Sequence, residues 1–318
     1  MALGEFDLIA RYFSRPSRRA DVLLGVGDDA ALLSVPPGLA LVAATDTLVE
    51  GRHFLAGAPP DSVGHQALAV NLSDLAAMGA DPAWALLSLS IPDVSEPWLE
   101  SFARGLYELA GRTGIELVGG DTVRGPLVVT IAAMGFVAPE QALRRSGARA
   151  GDWLYVSGTL GEAAAGLEVL CRDPHAGADD RLVRRYRYAE PRLELGRALR
   201  GRATAAMDVS DGLLGDLGKL CTASGVGARI DLASLPIGGD LAGRFDPATC
   251  ERFALHGGDD YELLFTVPPA VAVQWERDRA FACRVTRIGE IVAAGGVKCH
   301  RDGRVVVASG GGYDHFSR

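Results

Sequence analysis

Six short stretches of this 318-residue chain set aspartates beside glycine, serine or threonine. They are Gly27-Asp28-Asp29-Ala30, Ala44-Thr45-Asp46-Thr47, Asn71-Leu72-Ser73-Asp74, Gly119-Gly120-Asp121-Thr122, Asp208-Val209-Ser210-Asp211-Gly212 and Gly257-Gly258-Asp259-Asp260-Tyr261-Glu262. One aspartate in a turn needs no ligand, because its carboxylate bonds nearby backbone amides. Adjacent carboxylates, or carboxylates one turn-length apart with Ser or Thr between them, repel each other unless a cation or proton intervenes. Hard cations such as Mg²⁺ take oxygen ligands and bind through a few carboxylates plus substrate phosphates. The set therefore points to a multi-aspartate Mg²⁺ site, with ordinary turn aspartates as the competing reading.

Better-known phosphate and hydrolase motifs are missing. Gly218-Lys219 is followed by Leu220 and lacks the upstream glycine of a Walker A loop. Gly25-Val26-Gly27-Asp28-Asp29-Ala30 matches G-x-G-x-x-A after a predicted strand, but two carboxylates in that turn would repel a pyrophosphate. Val35-Pro36-Pro37-Gly38 also closes the segment before the long helix a dinucleotide fold requires. There is no HExxH, no GxSxG and no HRD/DFG pair. His53 follows the Thr45/Asp46 pair and reads either as a structural histidine or as a member of the same loop cluster. Arg144-Arg145 can pair phosphate oxygens, or can simply be solvated. The C-terminal Gly310-Gly311-Gly312-Tyr313-Asp314-His315-Phe316 puts an aromatic where it can stack on a planar ring or pin the tail.

Elements must position these groups. The spacing predicts a short helix over 6–13, buried strands over 22–25 and 40–44, and a helix over 62–78 stopped by Gly79. A strand over 84–91, an amphipathic helix over 96–113 ending at Gly114, and strands over 115–118 and 127–137 complete a first half. On this reading Thr45-Asp46 lies at the end of one strand and Gly119–Thr122 follows another, so both carboxylates sit on loops at a sheet edge. The polar, basic run 139–152 looks like a connection. Beyond it come a strand over 153–157, helices over 162–170 and 192–200, a strand over 205–207, a helix over 212–223, and strands over 262–267 and 284–291. Strands and helices alternate, so the class is α/β or α+β. Two domains are expected, 1–138 and 139–318, since domains typically hold about 100–200 residues.

Composition narrows the function classes. Hydrophobic residues make up 48%, enough for two cores. Forty Asp+Glu against 32 Lys+Arg give a net charge of −8, which argues against a nucleic-acid partner. The 40 glycines follow no collagen period and imply tight turns and close backbone approaches. Five scattered cysteines without a CxxC support neither a disulfide framework nor a zinc site, so a reducing cytoplasm is expected. Glu5, Asp7 and Arg11 interrupt the N-terminal apolar stretch, unlike a signal peptide. No window approaches the ~20 apolar residues of a membrane span.

In their order, these motifs resemble the thiamine-monophosphate kinase family. The resemblance is carried by Val26-Gly27-Asp28-Asp29-Ala30-Ala31, Thr45-Asp46-Thr47 with His53-Phe54, and Asn71-Leu72-Ser73-Asp74-Leu75-Ala76-Ala77-Met78-Gly79. It continues through Gly119-Gly120-Asp121-Thr122, Arg145-Ser146-Gly147, Asp208–Gly212 and Gly257–Leu263 to the Gly312–Phe316 tail. It implies the two-domain α/β fold of aminoimidazole ribonucleotide synthetase and selenophosphate synthetase, with N-terminal domains pairing strands in a homodimer. It implies ATP-dependent phosphorylation of thiamine monophosphate to thiamine diphosphate, with Mg²⁺ ions held by Asp29, Thr45, Asp46, Asp74, Asp121, Asp208 and Asp211. Gly120, Asp121, Arg145 and Ser210 correspond to ATP contacts, and His53, Asp259 and Tyr313 to substrate contacts. The first domain would carry the Mg/ATP loops and dimer interface, and the second would complete the ATP and substrate site. One departure is visible: the family run reads Gly-Gly-Glu-Asp-Tyr-Glu, and this chain has Asp259 in place of the Glu.

The implied chemistry needs no catalytic base. The second pKa of a phosphate monoester is about 6, so the acceptor oxygen is already largely ionised at neutral pH. The obstacle is the approach of two polyanions, which metal ions held by Asp46 and the other aspartates, together with Arg145, would offset. A selenophosphate synthetase would want a reactive cysteine near the N-terminus, and the first here is Cys171. Aminoimidazole ribonucleotide synthetase signatures fit His53-Phe54 and the tail less well. A non-catalytic nucleotide or thiamine-phosphate sensor would not need carboxylates in both halves.

Overall fold

The computed structural model describes residues 4–177, 179–278 and 283–306, and Tyr313 therefore lies outside the described residues. The chain divides into two units, Met1–Leu75 with Ala80–Pro139, and Ala76–Gly79 with Glu140–Arg318.

The first unit opens with helix α1 (Glu5–Leu8) running into a π-type turn, Ile9–Phe13. Leu8, Tyr12 and Phe13 are buried while Phe6 is exposed. Strands β1 (Val22–Leu24) and β2 (Leu32–Leu33) form a small antiparallel ladder of their own. The expected burial of β1 is not found: Leu23 is 62% exposed, because a two-strand ladder has no sheet to cover it. Next come β3 (Ala40–Val49), α2 (Pro60–Ala77), β4 (Asp81–Ile91), α3 (Glu96–Thr113), β5 (Glu116–Arg124) and β6 (Val128–Val137). The four long strands make one sheet in the order β3-β6-β4-β5. Helix α2 is buried nearly all round, which explains its apolar and small residues on every face. Helix α3 is amphipathic, with Leu99, Phe102, Leu106 and Leu109 buried, and Gly114 in the left-handed region closes it.

Two expectations are corrected here. Thr45 and Asp46 are not at a strand end. β3 pairs with β6 over its whole length, from Ala40↔Val137 to Val49↔Val128, so both lie mid-strand. Gly119–Thr122 does not follow a strand either; all four residues lie inside β5. In both places the sequence reads as a turn, yet a neighbouring strand supplies a partner for every residue.

The second unit continues with β7 (Trp153–Ser157), α4 (Glu162–Arg172), α5 (Arg181–Arg187), α6 (Leu193–Leu199), β8 (Ala205–Val209), α7 (Leu213–Ser224) and β9 (Gly227–Asp231). It ends with α8 (Gly239–Ala242), α9 (Pro247–His256), β10 (Glu262–Val267), α10 (Pro269–Asp278), β11 (Val285–Val292), β12 (Gly296–Arg301) and β13 (Arg304–Val306). Its strands form a seven-stranded sheet, β13-β12-β9-β11-β7-β10-β8, antiparallel except for the β12–β9 pair. Leu154, Val156, Met207, Val209, Leu217, Ile230, Leu264 and Ile288 form its core. Mixed sheets with helices interspersed match the α/β (α+β) expectation.

Candidate active site

In the first unit, two of the aspartate motifs meet in one cavity of about 780 Å³. Gly27-Asp28-Asp29 line one side of it and Gly120-Asp121 another. Asp28, Asp29 and Asp121 are all exposed. The Asp28 carboxylate accepts the Asp29 amide at 2.8 Å. Gly120 has φ 151°, and a Cβ there would fall 1.8 Å from the Leu87 carbonyl oxygen. Only glycine lets β5 lie against β4 at this point.

Register decides which groups share a face. Thr47, Thr130, Ser88 and Asp121 are neighbours across β3, β6, β4 and β5. The Thr47 and Thr130 hydroxyls bond each other at 2.8 Å. Asp46, Ile131, Leu87 and Gly120 form the next row, and side chains in adjacent rows point to opposite faces. Thr45 and Thr47 therefore share the Asp121 face, whereas Asp46 projects from the other. Thr45 Oγ1 donates to the Ile131 carbonyl at 3.2 Å.

His53 sits in the tight turn after β3. Its backbone N–H bonds Val49 O at 3.0 Å, and its Nδ1 accepts the Val49 N–H at 3.0 Å. A ring accepting at Nδ1 carries its proton on Nε2 when neutral, so its donor edge is fixed by the turn. Asp74 is half-buried on α2. One turn earlier on the same helix, Asn71 is fully buried; its Nδ2 donates to Ala67 O at 3.0 Å, while its Oδ1 has no hydrogen-bond partner.

In the second unit the acids are held differently. Asp208 is buried in β8 opposite Leu263. Ser210 and Asp211 form the turn into α7, where both backbone N–H groups donate to Asp216 Oδ2 at 3.0 and 2.9 Å. Lys219 bridges Asp211 at 2.5 Å and Asp216 at 2.8 Å. Burial raises the Asp216 carboxyl above the ordinary carboxylate range, against the pull of the Lys219 ammonium. Arg145 is exposed, and the loop that carries it is tied to β8 because Arg144 O accepts the Ala206 amide at 2.8 Å.

The loop 257–261 packs directly onto that turn. Asp259 N donates to Ser210 O and Tyr261 N to Val209 O, each at 2.9 Å. A Cβ on Gly212 would lie 2.8 Å from the His256 carbonyl carbon, and one on Gly258 2.7 Å from Ser210 O. Asp259 (φ 66°) and Tyr261 (φ 50°) both occupy the left-handed region, at a cost of about 1–3 kcal/mol each. Burial pushes the Asp259 carboxyl up to about 6; the Tyr261 hydroxyl, 3.2 Å away, pulls it down, and the Asp211 charge raises it. Asp260 is fully buried and accepts the Gly161 N–H at 2.7 Å at the start of α4. Its burial, only partly offset by that bond and by Arg185, pushes the carboxyl up to about 7.

Sequence reasoning did not assign roles to Asp216, Lys219 or Asp260, or to the buried Glu262 with its partners Arg185, Arg192 and Ser157. The i, i+3 pair Asp216/Lys219 on one helix was a visible signal. The pairing of Glu262 with two arginines about 70 residues away in sequence left none. Among the described residues, no group of three or more His, Cys, Asp or Glu side chains stands close enough together to hold a metal ion.

Comparison with known proteins adds to this geometry. Residues 27–137 match the family "AIR synthase related protein, N-terminal domain", and 149–302 match the corresponding C-terminal domain family. The chain is 49% identical over 326 residues to the thiamine-monophosphate kinase of Escherichia coli K12, covering 100% of this chain and 99% of that protein. The crystal structure of thiamine-monophosphate kinase from Stenotrophomonas maltophilia K279a superposes with a TM-score of 0.85 at 45% identity, covering 96% of this chain and 99% of that one. The structure of AaThiL complexed with AMPPCP and TMP gives 0.79 at 33% identity, covering 89% of each chain.

Proposed function

The chain belongs to the thiamine-monophosphate kinase family, and from that premise we propose that it transfers the γ-phosphoryl group of ATP directly to thiamine monophosphate, yielding ADP and thiamine diphosphate. The observation that carries this reading is whole-length identity of 49% to a thiamine-monophosphate kinase, with both domain families matched. A related structure that holds AMPPCP and TMP together supports the substrate pair.

The residues of the first unit suit a phosphate-bound divalent cation. Asp28, Asp29 and Asp121 offer only oxygen donors in one cavity, and Asn71 Oδ1 is a buried oxygen without a partner beside Asp74. Mg²⁺ commonly uses one or two carboxylates and completes its shell with phosphates and water, so a three-carboxylate cage is not required. We assign Asp29, Thr45, Asp46, Asp74, Asp121, Asp208 and Asp211 to metal binding. The face alternation of β3 makes Thr45 and Asp46 separate contributors. When bound, Mg²⁺ supplies positive charge that neutralises the phosphate oxygens.

The chain's own groups then do the positioning. Gly120, which lets β5 lie against β4, and Asp121 beside it are assigned to ATP, Ser210 offers a hydroxyl at the α7 turn, and Arg145 pairs oxygens of the transferring group. We assign His53, with its Nε2–H as donor, and, in the second unit, Asp259 as substrate contacts. No residue need act as general base, because the acceptor phosphate is already ionised. Alignment and charge stabilisation carry the rate.

We further assign a homodimer. β3 is an edge strand, and Leu41 on it and Leu39 just before it are exposed, as are Leu23, Leu24 and Leu32 of the β1–β2 ladder. Long edge strands with exposed apolar residues normally find a partner. All five cysteines are free thiols, which suits a cytoplasmic setting, and no helix among the described residues is long and apolar enough to cross a membrane.

A stereochemical experiment tests the direct step. ATP chirally labelled at the γ-phosphorus gives inversion if transfer is in line; retention, or a trapped phosphoprotein, overturns it.

A further inference from the structure

The loop 257–261 holds two non-glycine residues in the left-handed region, and something must hold it there. Its C-terminal end is Glu262, the first residue of β10 and fully buried. Arg192 grips that carboxylate with both arms, Nε to Oε2 at 2.6 Å and Nη2 to Oε1 at 2.5 Å. Arg185 Nη2 donates to Oε1 at 3.0 Å and also to the backbone oxygen of Asp260 at 3.3 Å. Ser157 Oγ adds a bond to Oε2 at 2.5 Å and itself accepts the Leu263 amide at 2.8 Å. A Cβ on Gly158 would lie 2.0 Å from Oε1, so the chain keeps a glycine where the carboxylate enters.

This is more charge organisation than a core strand needs. Fully burying the carboxylate and largely burying two guanidiniums carries a desolvation penalty that an apolar trio would avoid. The arginines come from α5 and from the start of α6, elements distant in sequence from the loop. They converge on the residue that ends it. At the other side the loop is bonded to Val209 and Ser210. Asp259 is thereby held between two fixed supports, and a displaced Glu262 would release one of them.

We propose that Arg185 and Arg192 are positioning residues for the reaction, holding Asp259 in its substrate-contacting conformation through the buried Glu262 carboxylate. They touch no substrate; they act through the loop. The inference rests on the assignment of Asp259 as a substrate contact.

The test uses Arg192→Lys, which keeps the charge and loses the two-armed grip, with Ser157→Ala in its place if that variant does not fold. In substrate-free protein, the Asp259 and Tyr261 amides exchange hydrogen faster than in wild type, while amides of β4 are unchanged. In steady state, KM for thiamine monophosphate rises about 10- to 100-fold, the scale of losing one hydrogen bond to a charged group. KM for ATP stays put and kcat is largely kept. Asp259→Asn added to Arg192→Lys costs little more, because the contact is already lost. Unchanged exchange at 259 and 261, equal rises in both KM values, or multiplying effects in the double variant overturn the proposal. A wild-type protein that releases no ADP with thiamine monophosphate overturns the functional reading instead, and the exchange measurement then decides alone whether the arginines hold the loop.

Discussion

The two units treat carboxylates in opposite ways. In the first, Asp28, Asp29 and Asp121 are exposed in a shared cavity, and among the described residues Asp29 and Asp121 have no side-chain ion pair. In the second, Asp211 and Asp216 share Lys219, Asp260 accepts the amide that starts α4, and Glu262 is gripped by two arginines. Exposed acid of the first kind does little for folding and is ready for an outside cation. Buried acid of the second kind has its counter-charge built in and shapes loops. Asp216, Asp260 and Glu262 of the second unit thus serve architecture, as Asp21 does in the first beside Arg19 and Trp84, while Asp29 and Asp121 stand open to a ligand.

The sharpest way to break that contrast is to remove one charge from each side. Asp121→Asn is expected to lower kcat/KM by about 10²- to 10³-fold, the scale for loss of one preorganised charge-stabilising group. Its thermal midpoint should stay close to wild type, as read by calorimetry. Glu262→Gln should do the reverse in kind, with stability falling by about 3 kcal/mol because the mostly buried Arg192 loses its carboxylate and Arg185 is left with Glu162 alone. Denaturant titration measures it. If Asp121→Asn unfolds the protein, or Glu262→Gln leaves stability untouched, the division between ligand-facing and architectural acid is wrong.

A smaller effect follows from Asp260. Its carboxyl is raised to about 7 in the fold, above the ordinary carboxylate value. The folded state therefore binds more protons than the unfolded state between about pH 4 and 7. The stabilisation it contributes is full below that window and is lost as pH rises through it. Asp260→Asn, which cannot ionise, should gain stability relative to wild type on going from pH 5 to pH 8. Parallel melting curves across that range would contradict the assignment. The smallest expected change is Lys219→Met: the part-exposed Asp211 loses its ammonium, and the buried Asp216 loses it too but keeps two backbone N–H bonds and, with its carboxyl already raised, can take up a proton. Its midpoint should fall modestly, and less in high salt than in low salt, because Lys219 is partly exposed.

Much of the fold was legible where periodicity is strong. Helix 96–113 and strands 153–157 and 262–267 are found as read, since an amphipathic stripe with a glycine stop, or a short apolar run between turns, has few alternatives. Helix α5 was not legible: Leu182, Val183 and Tyr186 are its buried residues, and arginines fill all four of the other positions. β9 and β12 are short, and what makes them strands is their pairing with each other and of β9 with β11; β13 is a local hairpin partner of β12 across the Asp302-Gly303 turn. The aspartate motifs were readable as a set, and the cavity unites two of them. Their setting was not, since Thr45-Asp46-Thr47 has turn-like composition and becomes strand only because β6 lies alongside. The Glu262 clamp was invisible for the same reason, as nothing local marks Arg185 or Arg192 as its partners.

The central claim is phosphoryl transfer to a phosphate acceptor, and a coupled ADP assay tests it most directly. Purified protein with Mg²⁺ and ATP is given thiamine, thiamine monophosphate or an aminoimidazole precursor side by side. ADP is expected with thiamine monophosphate alone, matched mole for mole by thiamine diphosphate. ADP release that is indifferent to thiamine monophosphate, or stronger with either other acceptor, would contradict it.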